Sequence, residues 1–344
     1  MGIGTRVNVI ALALVVSLGC AGRSRGTAST PTPPPTTAAP LSMAILGAGA
    51  GGVAGRDALD RLFEAPEVTA AGERLLDRLG AAPSLEPRYA TFVENVMSRP
   101  AMVEAYAALA ASNPGGSVEQ LTEQIGARLS EGIDGPAFDG ALDRALDRLL
   151  DRPAVDGAFG ELAQALIDRG RFLERLAALL QQWQPDIEAA VGVPMMDERF
   201  DARLEQYLDD PARSGALEQA LTERIADDPK LRAALAGLLD DDAFFAACET
   251  LFQGLLDDPQ FQDAATSVLA GLVMEVDATE LEARVDRLLV TPDVEHSVVR
   301  WAHEVGETAA FDSIADQLGA LLDDPNVQGE MFDALVGTVR QQTA

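Results

Sequence analysis

The apolar residues of this chain recur with the period of an α-helix. After Pro259 they fall at Phe261, Ala264, Ala265, Val268, Leu269, Leu272 and Val273, at offsets 0, 3, 4, 7, 8, 11 and 12, which is one helical face. No comparable stretch alternates with period two, so no strand is predicted. The stripe is preceded by Leu255-Leu256-Asp257-Asp258-Pro259. Asp258 is placed to cap the free N–H groups of the next turn. Pro259 fits the first helical position, where its fixed φ and missing N–H do no harm. The two carboxylates meet the positive end of the helix dipole.

Variants of this punctuation repeat. Pro66, Pro83 and Pro100 are 17 apart, as are Pro136 and Pro153, and Pro194 and Pro211; Asp242 and Pro259 keep the step without a first Pro. Pro211 to Pro229 is 18, and Pro259, Pro292 and Pro325 are two steps of 33. One helix plus a short turn fills such a unit, and two units form a hairpin of about 34 residues, a usual length for helical solenoids. The sequence therefore predicts an all-α, irregular, solenoid-like helical repeat array. Steps of 13 from Pro229 to Asp242 and 36 from Pro100 to Pro136 break the period, so an irregular helical bundle is the competing arrangement. The units resemble tetratricopeptide or HEAT-type repeats in length and helical content only. At least twelve helices are expected, starting near Pro153, Pro211, Pro229, Pro259, Pro292 and Pro325. Phe261, Leu269, Leu251, Phe252, Leu235 and Val298 are expected to be buried, with Phe63, Phe92, Val96 and Tyr106 as further core candidates.

The first residues have another pattern. Arg6 and the amino terminus form a basic start, Val9 to Leu18 an apolar run too short to span a bilayer, and the run ends Val16-Ser17-Leu18-Gly19-Cys20. This resembles a bacterial lipoprotein signal, with Ser17 where that box usually carries Leu. The resemblance implies removal of residues 1–19, lipidation of Cys20 and a membrane attachment through that lipid. Ala21 after the Cys implies transfer to the outer membrane. Residues 20–40, including Thr27 to Pro40, are rich in Pro and Thr and cannot build a core; they read as an extended tether. At ~3.1 Å per residue, twenty such residues reach about 60 Å.

Residues 41–56 read as a Gly-rich hinge. Gly47, Gly49 and Gly52 match G-x-G-x-x-G, but no strand-helix-strand context follows. Gly47, Gly51 and Gly55 match a small-residue stripe for close helix packing. Residues 57–344 form the helical domain. Asn113-Pro-Gly-Gly-Ser117 is its strongest internal breaker, which marks a seam near 112–117. Asp143 with Arg144 and Asp147 with Arg148 read as a solvated, ion-paired face.

Charge narrows the function classes. The net charge is −29, with 47% hydrophobic and 5% aromatic residues, and Lys230 is the only lysine. A core is affordable on this composition; binding to nucleic-acid phosphates is not expected. Loss of Arg6 with the signal takes the charge to −30.

Candidate chemistry is sparse. Cys248 lies on the stripe Phe244, Cys248, Leu251, Phe252, Leu255 and reads as a small core residue. Asp324-Pro-Asn326-Val-Gln328-Gly329 echoes a calcium loop, yet the twelfth position is Leu335 and Pro325 starts a helix. His296 and His303, the only histidines, are seven apart on one helix and about 10 Å apart along it, too far to share a metal. They point away from the stripe Val294, Val298, Trp301, Ala302, Val305, with Glu295, Glu304 and Glu307 nearby. Nucleophile elbows, P-loops, C-x-x-C and H-E-x-x-H motifs are absent from the sequence. No catalytic residue, cofactor or metal is expected. The expectation is a non-catalytic, membrane-tethered envelope scaffold that binds a protein or peptide, a basic one given the charge. A carrier of a lipid or other hydrophobic ligand is the alternative, and an enzyme of unrecognised type the third.

Overall fold

A computed structural model of the chain describes residues 61–112, 116–194 and 227–342, with the single positions 197, 199, 203, 224 and 225. The described residues are all-α, an array of helices without a strand. Cys20, the tether, the Gly-rich hinge with Gly47, Gly49, Gly51, Gly52 and Gly55, and the helix start at Pro211 lie outside the described residues.

A first series of helices runs α1 Pro66–Gly80, α2 Glu86–Ser98, α3 Pro100–Ser112, α4 Val118–Ile133, α5 Pro136–Leu150, α6 Pro153–Arg169, α7 Phe172–Gln182 and α8 Gln184–Val191. A second runs α9 Pro229–Asp240, α10 Asp242–Asp257, α11 Pro259–Val273, α12 Ala278–Leu289, α13 Pro292–Gly306, α14 Ala309–Leu321 and α15 Pro325–Gln342. Starts at Pro153, Pro229, Pro259, Pro292 and Pro325 are as the punctuation predicts. The caps work as expected. Asp228 accepts from the Leu231 N–H at 2.6 Å, Asp258 from Gln260 at 2.7 Å and Asp324 from Asn326 at 2.8 Å. Ser117 and Gln120 form a reciprocal capping box that opens α4.

The chain divides into two compact units, each assembled from pieces of both series. The first holds residues 73–158 and 242–305. Its centre is α11, which packs on α2, α3, α4 and α12, while α5 lies along α12. Both flanks of the breaker at 113–115 belong to this unit. The crowding of α11 corrects the burial expected from its periodicity. Phe261 and Leu269 are only half-buried, whereas Gln262 and Thr266 are buried. With neighbours on several sides the helix has no single inner face. Gln262 is tolerated inside because it is fully engaged: its amide donates to the Leu256 carbonyl at 2.7 Å and accepts from Asn95 at 3.1 Å and Arg99 at 3.0 Å.

The second unit holds the described residues of 61–72, 159–241 and 306–342. Its main core joins Phe172, Leu176 and Trp183 to Leu322, Met331 and Leu335, with Trp183 edge-on to Phe332 at 5.6 Å. A smaller cluster joins Leu62, Leu231 and Leu321. Here α9 packs on α14. Leu235, expected in the core, is half-buried at the rim of this cluster, and Phe63 and Tyr106 are likewise half-buried. Leu251, Phe252, Val298, Phe92 and Val96 are buried as expected. Two glycines set the closest approach. A Cβ on Gly319 would lie 1.9 Å from the Gly170 carbonyl oxygen, and one on Gly170 would lie 2.2 Å from that of Ala315. The adjacent Arg171 takes a left-handed φ of 51° as the chain turns from α6 into α7.

Candidate functional site

The ion pairs between the two series are made by arginines, and they point one way. In the first unit Arg78 reaches Asp242 at 2.6 Å, Arg88 reaches Asp257, Arg99 reaches Asp263, and Arg144 reaches Glu282 at 2.8 Å. Arg148 bridges Glu282 at 3.2 Å and Asp286 at 2.6 Å. In the second unit Arg61 holds Asp227 at 2.8 Å, Arg169 holds Asp312 at 2.7 Å, and Arg175 holds Asp323. In all of these the guanidinium is on the first series and the carboxylate on the second. The order is parallel: later arginines meet later acids.

Three arginines also finish helices that are not their own. Arg128 donates to the Val273 carbonyl at 2.8 Å, Arg152 to that of Val290 at 3.4 Å and Arg169 to that of Gly306 at 2.6 Å. These carbonyls end α11, α12 and α13, where backbone acceptors lack helical partners and the dipole favours a cation.

The acidic punctuation splits its work accordingly. In Leu256-Asp257-Asp258-Pro259 and again in Leu322-Asp323-Asp324-Pro325, the second Asp caps and the first takes an arginine of the first series. In both, a Gln three residues past the Pro donates to the Leu carbonyl, Gln262 at 2.7 Å and Gln328 at 2.8 Å. The arginines have a signal of their own that charge spacing alone does not disclose. Asp-Arg-Leu with a Pro five residues after the Arg occurs at Arg61, Arg78, Arg148 and Arg287. The first three cross to the second series; Arg287, on the second, turns back to the Ala283 carbonyl at 3.1 Å. The expected solvated face of paired Asp and Arg on α5 is therefore corrected. Arg144 and Arg148 are committed to α12, while Asp143 and Asp147 stay exposed.

Some perturbed ionisations follow contacts of this kind. Arg144 first, then Arg148, hold the Glu282 carboxyl below its ordinary value. Arg224 does the same to Glu330. The Arg148 guanidinium is pushed up by its hydrogen bond to Asp286. These are structural ion pairs, since the Glu282 and Glu330 carboxylates are already neutralised by their arginines.

The remaining sequence candidates do not converge. Cys248 is fully buried beside Trp301, and burial pushes its thiol up to about 12, against a weaker opposing hydrogen bond to Trp301. Phe244 meets Trp301 edge-on at 6.0 Å. A thiol so placed is inert at neutral pH. His296 and His303 are exposed, and the stripe Val294, Val298, Trp301, Ala302, Val305 is buried. Glu295 and Glu304 are turned to Arg152 at 3.9 Å and Arg300 at 3.8 Å. Asp324, first residue of the calcium-like stretch, is a helix cap. Among the described residues no group of three His, Cys, Asp or Glu is placed to hold a metal ion, and no helix is long and apolar enough to cross a membrane. An open hollow of the second unit is lined by Arg169, Glu307, Asp312 and Asp316, with Arg169 stacked on Phe311 at 5.5 Å. Its arginine is shared among the Gly306 carbonyl, Glu307 and Asp312. Comparison with family models, with curated proteins and with solved structures gives no match.

Proposed function

We propose that the protein is a non-catalytic helical-repeat scaffold of the bacterial envelope, tethered to the membrane through lipid on Cys20 and holding a basic protein or peptide partner. One observation supports the binding half most. Acids outnumber bases by 55 to 26 over the chain, and the arginines that cross from the first series are each paired with an acid of the second. Each such pair neutralises one acid with one base, so the excess of acids over the chain is left unbalanced. A field of that sign raises the encounter rate with cationic partners and repels polyanions. The tether half rests on the resemblance of residues 1–20 to a lipoprotein signal, with the outer membrane as its address.

The test has two arms. Cys20→Ala should release the protein from membranes or leave an unprocessed precursor; a variant still processed and fully membrane-bound removes the tether. For binding, the wild-type protein is crosslinked in its own envelope, the partner is identified, and the pair is reconstituted from purified components. A basic partner whose association rate falls steeply from low to physiological salt is expected. A reconstituted complex indifferent to salt, or no saturable partner at all, removes the acidic scaffold.

A further inference from the structure

We propose that the exposed edge of α5 carrying Asp143 and Asp147 is an acceptor for an arginine-bearing helix of the partner. The inference rests on the scaffold reading above and names its surface. It begins from an internal likeness. Aligned on their shared Asp-Arg-Leu-Leu, α5 and α12 are the same helix in the two series. Leu142, Leu149 and Leu150 match Leu281, Leu288 and Leu289, and all six are buried. In this alignment Asp143 corresponds to Glu282 and Asp147 to Asp286. On α12 these two carboxylates hold Arg144 and Arg148 of α5, a helix lying alongside in the same direction. The fold thus contains a worked example of what this acidic pair accepts: two guanidinium groups one helical turn, ~6 Å, apart.

On α5 the equivalent pair is exposed, and neither carboxylate makes a hydrogen bond or ion pair among the described residues. The contact between α5 and α12 joins different edges of one helix type, so it leaves an acceptor edge open on α5. Such heterologous contacts can propagate into chains of copies. A second copy, however, does not bring the needed donors from its second series, because Ala283 stands where α5 has Arg144 and Thr291 where α6 is preceded by Arg152. The occupant that fits is a foreign amphipathic helix with arginines at i and i+4, laid parallel to α5.

The probe is a labelled helical peptide with two arginines four residues apart, titrated by fluorescence anisotropy into full-length protein in detergent at low salt. Its partner control carries the arginines two apart. Asp143→Asn with Asp147→Asn should weaken the first peptide by about tenfold or more. Glu119→Gln with Glu123→Gln, an exposed pair of equal charge on α4, should weaken it by less than about twofold. Equal losses in the two variants, or equal binding and loss with the control peptide, overturn the assignment in favour of diffuse charge. Circular dichroism melting of each variant confirms that the fold is kept. If the envelope partner is retained in full by the Asp143/Asp147 variant, the scaffold stands and this surface falls.

Discussion

The two series share a local grammar and differ in what they do with it. Both start helices on Pro, both bury the Leu-Leu before the turn, and both carry the Asp-Arg-Leu motif. Yet Arg148 on the first series spans Glu282 and Asp286, while its equivalent Arg287 on the second closes on its own helix. The first series donates; the second accepts, through the first Asp of each Asp-Asp-Pro and through its helix-ending carbonyls. What differs is the neighbour. A motif fixes a side chain's position on its helix, and the adjoining helix decides whether that position faces an acid or water. The following changes separate the shared grammar from the contact that uses it.

The largest effect is expected where the series touch without side chains. Gly319→Ala places a methyl against the Gly170 carbonyl, and both partners are backbone that cannot step aside. We expect a loss of roughly 3 kcal/mol, measured by urea unfolding. Gly237→Ala, in α9 with nothing within 4 Å of the new methyl, should instead gain up to ~1 kcal/mol from helix propensity. Equal effects at the two glycines would mean that α6, α7 and α14 do not meet at this point.

The caps come next. Asp258→Ala removes the acceptor of the Gln260 and Phe261 N–H groups and should cost about 1 kcal/mol. Asp257→Asn keeps the cap and loses only the pair with Arg88, so its cost should be smaller, and it should be suppressed by 1 M salt while the cap's is not. The sequence alone does not give these first acids this part: Asp257 and Asp323 are occupied from within, by Arg88 and Arg175.

Those pairings mark how far the sequence is legible. Helix starts, caps and the inward stripe of α13 are local, set by Pro, Asp and a 3.6-residue period, and Val298, Trp301 and both histidines lie as the pattern requires. The pairing of the series is not local. Periodicity names one buried face, so it misplaces Phe261 and Leu269 on α11, which is packed on several sides, and it gives no reason to bury Gln262. Nor can an arginine's spacing along one helix tell which acid a hundred residues away will meet it. The repeated Asp-Arg-Leu motif is visible in the sequence, and it would have nominated Arg61, Arg78 and Arg148, though not their partners. The lipidation proposed for Cys20 rests on the sequence alone, since Cys20 lies outside the described residues.

The arginine pair itself gives a smaller effect. Arg148→Ala should lower Tm by roughly 2–4 °C, since its two partners are half-exposed and screened. Arg287→Ala should lower it by less than about 1 °C. Equal shifts, read by calorimetry at low salt, would erase the distinction between donor and acceptor series.

Acid titration offers the finest comparison, because it reads the same contact from the acceptor side. Arg144 and Arg148 hold the Glu282 carboxyl below its ordinary 4.5. A carboxylate depressed in the folded state binds fewer protons there than when unfolded, so it adds stability above the unfolded value and loses it as pH falls through the folded one. The stability difference between wild type and Glu282→Gln should therefore be flat from neutral pH down to about 5 and shrink below 4.5, where the wild type loses its advantage first. Arg144→Ala with Arg148→Ala removes both causes, so in that background Glu282→Gln should make no difference at any pH. A pH-dependent difference that survives loss of both arginines would assign the depression to something other than the contact between α5 and α12. Because the group is half-exposed, the shift is expected to be small and to close with added salt, which distinguishes it from the Gly170–Gly319 contact that salt cannot reach.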